Sequence, residues 1–212
     1  MVRHGYAHQY TDAHDGLRHK RVPLPAAALL GMVRVGRAAT DVALRRRMAG
    51  LVMTALTFAR LGGGANRRPQ DLTLMPTSMV IQIADYKHGA RANRERVVIR
   101  IPRRATGAPG AACELVRDHV AALIVAKAAP DQLLFTPLGD HTALPTEVAI
   151  AWMRERLFLT HVCAPAGSLY SGHSLRGGAA TSARSVGCSL DAIATLMGMR
   201  NKSTTTMIHR RS

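Results

Sequence analysis

The sequence predicts a mainly α-helical domain that carries one small antiparallel β-sheet, an α+β arrangement. Apolar residues recur at spacings of three and four over most of the chain, a pattern typical of amphipathic helices. Two short runs rich in β-branched residues, 79–83 and 97–101, flank a basic turn and predict a strand pair. Of the 212 residues, 47% are hydrophobic and 4% are aromatic, so we expect a globular core built mainly from aliphatic side chains and Met.

The start of the chain predicts a short tail followed by a helix. Residues 1–20 are polar and irregular and are expected to be a tail or the stub of a linker. The folded domain is expected to span residues 21–212. Pro23 and Pro25 open an apolar stretch over residues 26–35, which predicts a helix because proline is tolerated in a first turn.

A longer helix is expected after Thr40 or Asp41, either of which can cap its amino end. Its apolar stripe comprises Leu44, Met48, Leu51, Val52, Ala55 and Ala59. Gly62, Gly63 and Gly64 follow this helix. Consecutive glycines cost roughly 1 kcal/mol each inside a helix, so the chain is predicted to turn there.

The second half of the chain predicts helices joined by loops. A helix is expected from Ala111, and a loop over residues 130–144. The stripe of that helix comprises Ala112, Leu115, Val116, His119, Val120 and Leu123. Further helices are expected over residues 145–159, 174–186 and 190–197, the last capped by Ser189 and the last two stopped by Gly187 and Gly198.

Positive charge is concentrated in the first half of the chain. The whole sequence carries a net charge of +16, and the segment from Arg18 to Arg104 holds 18 Lys and Arg against four Asp and Glu, a net of +14. Such a segment predicts a positive surface for a polyanion such as nucleic acid, the alternative being a pI raised by Arg-rich codon usage. The candidate DNA-binding residues are Arg45, Arg46, Arg47, Arg67, Arg68, Arg91 and Arg94.

Several classes of protein are disfavoured by the sequence. No apolar run is long enough for a transmembrane helix, and residues 1–15 lack the apolar core of a secretory signal. Three widely spaced cysteines, Cys113, Cys163 and Cys188, suggest reduced thiols in an intracellular compartment, either a nucleus or a bacterial cytoplasm and nucleoid. No metal-binding spacing is present, so we expect neither a metal nor a cofactor.

The most distinctive segment of the sequence, residues 171–181, reads SGHSLRGGAAT. His173 and Arg176 are three residues apart at a predicted helix start and would lie on one face. Backbone amides, a guanidinium and an imidazole at one place suit a phosphate oxyanion. A histidine that caps the helix beside a surface arginine is the alternative interpretation.

The surroundings of this segment resemble the second conserved box of the tyrosine recombinase (phage integrase) family, and its wording is most similar to recombinases of DIRS-type retrotransposons. Upstream, the apolar run 51–59 leads to Arg60, and Asp71 stands eleven residues later, as in the first box of that family. Lys87 lies at the tip of the predicted hairpin, where the family has a catalytic lysine. Residues 20–24 resemble the start of the family's catalytic domain.

The resemblance implies the recombinase catalytic-domain fold and phosphoryl transfer on double-stranded DNA without metal. Arg60 and Arg176 would bind the non-bridging oxygens of the phosphate, Lys87 would protonate the leaving 5′ oxygen, and His173 would orient or deprotonate the nucleophile. Members of the family work as homo-oligomers on DNA.

The sequence also departs from the family pattern. Gly63 replaces an acidic residue, Met199 replaces a His or Trp, and Ile208 stands at the position of the nucleophilic Tyr, with His209 beside it. A separate core-binding domain is not recognisable. We therefore expect a DNA-binding recombinase-like protein impaired in strand cleavage. The alternatives are a domesticated non-catalytic DNA-binding protein, a copy truncated before its nucleophile, and a basic RNA-associated protein with an accidental motif. The tyrosines of the chain are Tyr6, Tyr10, Tyr86 and Tyr170.

Overall fold

The computed structural model describes residues 20–83, 97–102, 108–159 and 162–197. Residues 1–19 of the predicted tail and the predicted hairpin tip lie outside the described residues, so the domain bounds 21–212 stay a prediction. Several candidate functional residues also fall outside them: Lys87, Arg91, Arg94, Met199, Ile208 and His209.

Two long helices form the first layer of the core. Helix α1 spans Ala26–Ala38, and helix α2 spans Val42–Leu56 and packs against it. The side chain of Asp41 caps α2 by accepting hydrogen bonds from the amides of Ala43 and Leu44. Most of the predicted stripe of α2 is buried, including Met48 and Val52, which confirms the predicted helix. Ala59 is buried as well, although the helix ends before it.

The three consecutive glycines form a short helix, so the predicted turn at this point is wrong. Helix α3 spans Leu61–Ala65, and the amide of Gly64 donates to the carbonyl of Arg60 at 2.8 Å. Gly64 packs so closely on α2 that an added Cβ would lie 2.3 Å from Oγ1 of Thr54. This close contact with α2 offsets the low helix propensity of glycine.

A three-stranded antiparallel sheet follows a short 3₁₀ turn at Pro69–Asp71. Its strands are β2 (Leu72–Leu74), β3 (Ser78–Ile83) and β4 (Val97–Pro102), in the order β2-β3-β4. The predicted pair β3–β4 is confirmed, with Ile81 opposite Ile99. The short strand β2 was not predicted. The pair that β1 (Lys20–Arg21) and β5 (Ser168–Leu169) form in parallel was not predicted either.

The second half of the chain packs helices against α1, α2 and α3. Helix α4 spans Ala108–Val125 and helix α5 spans Thr146–Leu159. The stripe predicted for α4 is buried along its length, from Ala112 at 2% exposure to Leu123 at 8%. The loop between α4 and α5 is present as predicted, and its residues Leu133, Leu134 and Phe135 are buried in the core.

Two helices near the carboxyl end complete the described fold: α6 (Ser174–Ser185) and α7 (Leu190–Leu196). The hydroxyl of Ser189 caps α7 as predicted, and Gly187 adopts a φ of 91° after the end of α6. In the described part of the chain, no helix combines the length and the hydropathy needed to cross a bilayer. The arrangement is mainly helical with one small antiparallel sheet, which confirms the predicted fold class.

Candidate phosphate-binding site

The turn that leads into α6 is built by two serines. The amide of Ser171 donates to Oγ of Ser174 at 2.8 Å, and the amide of Ser174 donates to the carbonyl of Ser171 at 2.9 Å. His173 lies between them at the N-cap position, where its amide donates to Oγ of Ser171. Its side chain is exposed and makes no capping hydrogen bond, which rules out the interpretation of His173 as a capping histidine.

Arg176 lies in the first turn of α6 and is 7% exposed. Its guanidinium donates a short hydrogen bond to the backbone carbonyl of Met197 at the end of α7. The alternative of an ordinary surface arginine is therefore wrong. A charge-assisted bond to a carbonyl holds this guanidinium in one orientation at the junction of α6 and α7.

Arg60 enters the same neighbourhood from the other half of the chain. It is exposed and occupies the N-cap position of α3, directly before Leu61. A Cβ placed on Gly172 would lie 3.8 Å from Cβ of Leu61. Because Arg60 and His173 are the chain neighbours of Leu61 and Gly172, the amino ends of α3 and α6 lie close together.

An apolar contact fixes this meeting point. Phe58 follows the end of α2 with a φ of 52°, in the left-handed region that a bulky residue rarely adopts. It packs against a cluster of Ala180, Ile193 and Met197 from α6 and the end of α7. Arg60 follows Phe58 by two residues. The position of Phe58 is therefore set by α6, which carries Arg176, and by the end of α7, which accepts the hydrogen bond of Arg176.

The amino end of α6 is also held by backbone contacts that the sequence did not indicate. The amide of Leu24 donates to the carbonyl of Ser174 at 2.9 Å. An added Cβ on Gly178 would lie 2.1 Å from the carbonyl oxygen of Leu24, so only glycine fits there. From α5, Nε of Arg154 donates to the carbonyl of Tyr170 at 2.8 Å. These contacts make the turn before α6 a fixed platform for His173 and Arg176.

Tyr170 is the one tyrosine within the described ranges, and it lies three residues before His173. It is 5% exposed, and its hydroxyl donates to the carbonyl of Cys163 at 3.3 Å. Burial raises the pKa of its hydroxyl above the usual value of 10.0. A buried, protonated and hydrogen-bonded phenol is not available as a nucleophile.

The candidate DNA-binding arginines that the structure describes differ in exposure. Arg45 and Arg68 are exposed, whereas Arg46 and Arg47 are half-buried. Arg67 is only 6% exposed, and its carbonyl accepts from the amide of Leu134 at 2.7 Å. Its interior position, with its backbone bonded to Leu134 of the loop before α5, contradicts the prediction of a surface contact for Arg67.

Among the residues that the structure describes, no group of three or more His, Cys, Asp and Glu side chains could hold a metal ion. The amino ends of α3 and α6 carry two arginines and a histidine: Arg60 and His173 at the N-cap positions and Arg176 in the first turn of α6. Two arginines can each present a planar pair of N–H donors to an oxyanion, and the imidazole adds a group that can give or take a proton. This combination fits a phosphate.

The fold is similar to solved structures of recombinases and integrases. A XerH site-specific recombinase bound to palindromic difH substrate superposes with a TM-score of 0.66 at 14% identity, covering 89% of this chain and 49% of that chain. A lambda integrase dimer bound to a COC′ core site gives a TM-score of 0.61 at 12% identity, covering 96% and 55%. The Tn1549 transposon integrase in complex with transposon right end DNA gives 0.60 at 15% identity, covering 99% and 68%.

This likeness shows that the chain has the tyrosine recombinase catalytic-domain-like fold, as the sequence predicts. The chain spans about half the length of the XerH and lambda integrase chains. No protein-family model matches the sequence, and no curated protein matches it either.

Proposed function

We propose that the protein binds duplex DNA as a recombinase-like or integrase-like protein, through a backbone phosphate held by Arg60, His173 and Arg176. The observation that carries the proposal is the meeting of the amino ends of α3 and α6 at the packed junction of α6 and α7. The likeness to solved recombinases and integrases supports it, because several of those are complexes with DNA. The net charge of +16 supplies the attraction to a polyanion.

The proposed chemistry of the site is the recognition of a phosphodiester. Arg60 reaches the phosphate from an exposed N-cap position, and Arg176 reaches it from a buried one. A buried guanidinium interacts more strongly with an oxyanion than an exposed one, since less water screens it. His173 stands at the exposed edge of the site, where it can donate a hydrogen bond to a phosphate oxygen, and Lys87 is proposed to reach the same phosphate.

We propose that this chain does not cleave the strand that it binds. The covalent step of the recombinase reaction needs a tyrosine, and the sequence contains none after Tyr170. Tyr170 itself is buried and hydrogen-bonded to Cys163. The residues near the nucleophile position, Ile208 and His209, are proposed to leave the site without an attacking hydroxyl.

A suicide substrate tests this part of the proposal. A nicked duplex that traps a covalent intermediate is incubated with the protein, and the mixture is separated on a denaturing gel. We expect no protein–DNA adduct at concentrations where the duplex is bound, and an active recombinase with its own nicked site serves as the positive control. An adduct that survives denaturation contradicts the proposal, and mass spectrometry of the linked peptide then identifies the nucleophile.

The same binding assay separates DNA from RNA as the partner. Under the proposal, unlabelled duplex DNA competes for the labelled duplex, and single-stranded RNA of equal length competes more weakly. The chain has only 4% aromatic residues, which gives it few of the stacking platforms that single-stranded RNA requires. Stronger competition by RNA favours the RNA-associated alternative.

The source of the gene and the assembly on DNA are further parts of the proposal. The wording of residues 171–181 resembles that of DIRS-type retrotransposon recombinases, so we propose that the protein derives from such a mobile element. Sequencing the locus on both sides tests this origin: remnants of other retrotransposon genes support it, a downstream remnant that encodes a Tyr indicates a decayed copy, and intact unrelated genes on both sides indicate a domesticated protein. Binding of several copies to one duplex is tested by the mass of the complex in analytical ultracentrifugation.

A further inference from the structure

Two adjacent arginines in the second turn of α2 lie away from the site at Arg60. Arg46 and Arg47 are both half-buried, and the Nε atom of each is inaccessible to solvent. Neither Nε has a hydrogen-bond partner within the described part of the chain. A guanidinium that has lost water from one edge without gaining a protein acceptor destabilises the fold unless a further group compensates it.

No carboxylate of the described residues forms an ion pair with either arginine. The carboxylates that act electrostatically on the pKa of Arg46 are those of Asp41 and Asp140. The carboxylate of Asp41 caps α2, and that of Asp140 accepts from the amide of Thr142 at 2.8 Å. Burial, and next the charge of Arg47, lower the pKa of Arg46 below its usual value. Asp41 and Asp140 thus offset the charge of Arg46 only in part, from a distance and without an ion pair.

The ring of Trp152 on α5 packs against Arg47. The guanidinium of Arg47 lies over the ring, with its central carbon 4.5 Å from the ring centroid. A cation–π contact of this kind fixes the plane of the guanidinium and leaves its N–H edge free to meet an acceptor. Arg45, in the same triplet, differs: it is exposed, and its guanidinium donates to the carbonyl of Ala39 at 2.6 Å.

We propose that Arg46 and Arg47, beside Trp152, form a second phosphate-binding site that takes another phosphodiester of the bound DNA. The nine helical steps from Arg47 to Leu56 span roughly 14 Å, so this site is separate from the one at Arg60 and Arg176. A phosphate brings a negative charge next to two adjacent guanidiniums that have no carboxylate partner, and the terminal N–H groups of an arginine can donate to its oxygens. The identity of the ligand as DNA rests on the proposed function.

The single tryptophan of the sequence makes this site directly observable. Duplex DNA is titrated into the protein while two signals are recorded, the emission of Trp152 and the anisotropy of a label on the DNA. A phosphate on Arg47 displaces or polarises the guanidinium over the ring, so the emission is expected to change in parallel with binding. Inorganic pyrophosphate and polyglutamate are titrated separately as probes of the anion alone.

Matched variants that remove positive charge isolate the site. The double variant Arg46→Gln/Arg47→Gln is expected to make the slope of log K against log salt less negative by about 0.9, the value for one lost phosphate contact, and each single variant is expected to change it in the same direction by a smaller amount. Arg184→Gln removes one positive charge from an exposed position in the last turn of α6, outside the candidate DNA-binding residues, and is expected to leave the slope unchanged. Equal changes in all three single variants show a general charge effect and overturn the proposal.

The outcomes also distinguish this site from the proposed function. In Arg176→Gln, the Trp152 emission is still expected to respond at saturating DNA. Normal duplex binding with an unchanged Trp152 emission overturns the second site alone, as does a response to polyglutamate but not to DNA. An absence of duplex binding in every variant and in the unmodified protein overturns the proposed function, and this inference with it. If Arg46→Gln or Arg47→Gln fails to fold, Arg46→Lys and Arg47→Lys keep the charge and are expected to keep the salt slope.

Discussion

Arginines lie near both ends of α2, and different contacts hold them in position. At the carboxyl end, Arg60 is placed by the backbone, through the left-handed turn at Phe58 and the start of α3. At the amino end, Arg46 and Arg47 are placed by the burial of their own side chains against Trp152 and the loop before α5. The site at Arg60 therefore depends on how the helices pack, whereas the site at Arg46 and Arg47 depends on a few side-chain contacts. Changes in backbone packing are therefore expected to affect the site at Arg60 most.

The largest effect is expected at the contact between α6 and the segment before α1. Gly178→Ala places a Cβ 2.1 Å from the carbonyl oxygen of Leu24, a backbone atom that moves only if α6 moves. We expect a loss of about 3 kcal/mol in the free energy of unfolding, measured by urea denaturation. Gly63→Ala is the matched control, since nothing lies within 4 Å of its added Cβ. The control is expected to stabilise the short helix by roughly 0.5–1 kcal/mol. An unchanged stability of Gly178→Ala contradicts the docking of α6 on Leu24.

A smaller effect is expected near the amino end of α2, at His119 of α4. Its Nε2 donates to the carbonyl of Leu134 at 2.5 Å. Its ring stacks on the ring of Phe135, with 5.7 Å between the two ring centroids. Burial is the main cause that lowers the pKa of His119 below its usual 6.5, and the charge of Arg46 lowers it further. The unfolded chain then binds a proton that the folded protein does not. Stability is therefore present above pH 6.5 and is lost as the pH falls from 6.5 towards the lowered pKa.

Thermal unfolding across this pH range measures the effect. The loss is expected to approach 1.4 kcal/mol per pH unit between the two pKa values. His119→Gln keeps a donor for Leu134 and is expected to flatten the dependence. His141→Gln, at a side chain that is 42% exposed, is expected to leave it unchanged. An identical pH dependence in His119→Gln shows that another group is responsible.

Much of the fold follows from local patterns in the sequence. The helices α2 and α4 are predicted because their apolar residues recur at the helical period, helix α1 because two prolines open an apolar stretch, and the strands β3 and β4 because β-branched residues cluster there. The strands β1, β2 and β5 contain only two or three residues each, too few for a periodic signal. The helix at the three glycines escapes prediction because it depends on a contact with Thr54 that lies in another part of the sequence.

The candidate site is predicted only in part, for a related reason. The identity of Arg60, His173 and Arg176 follows from motifs, but their meeting depends on the contact between Leu61 and Gly172 and on the packing of Phe58. Local spacing placed His173 and Arg176 on one face of a helix but did not indicate that Arg176 is buried and donates to the carbonyl of Met197. Arg67 was assigned to the surface from composition alone, and its burial arises from tertiary packing. Charge predicts a polyanion partner, and packing decides which arginines can reach it.

Arg60 and Arg176 are proposed to bind the same phosphate of duplex DNA. The most direct measurement is the affinity for a labelled duplex, followed by anisotropy at several salt concentrations, for the protein and for Arg60→Gln and Arg176→Gln. Each variant is expected to lose roughly 1.5–3 kcal/mol of binding free energy, the range for a charge-assisted hydrogen bond. The double variant is expected to lose less than the sum, because both residues hold the same phosphate. Duplex affinities equal to that of the unmodified protein, in variants that retain its melting temperature, would contradict the account.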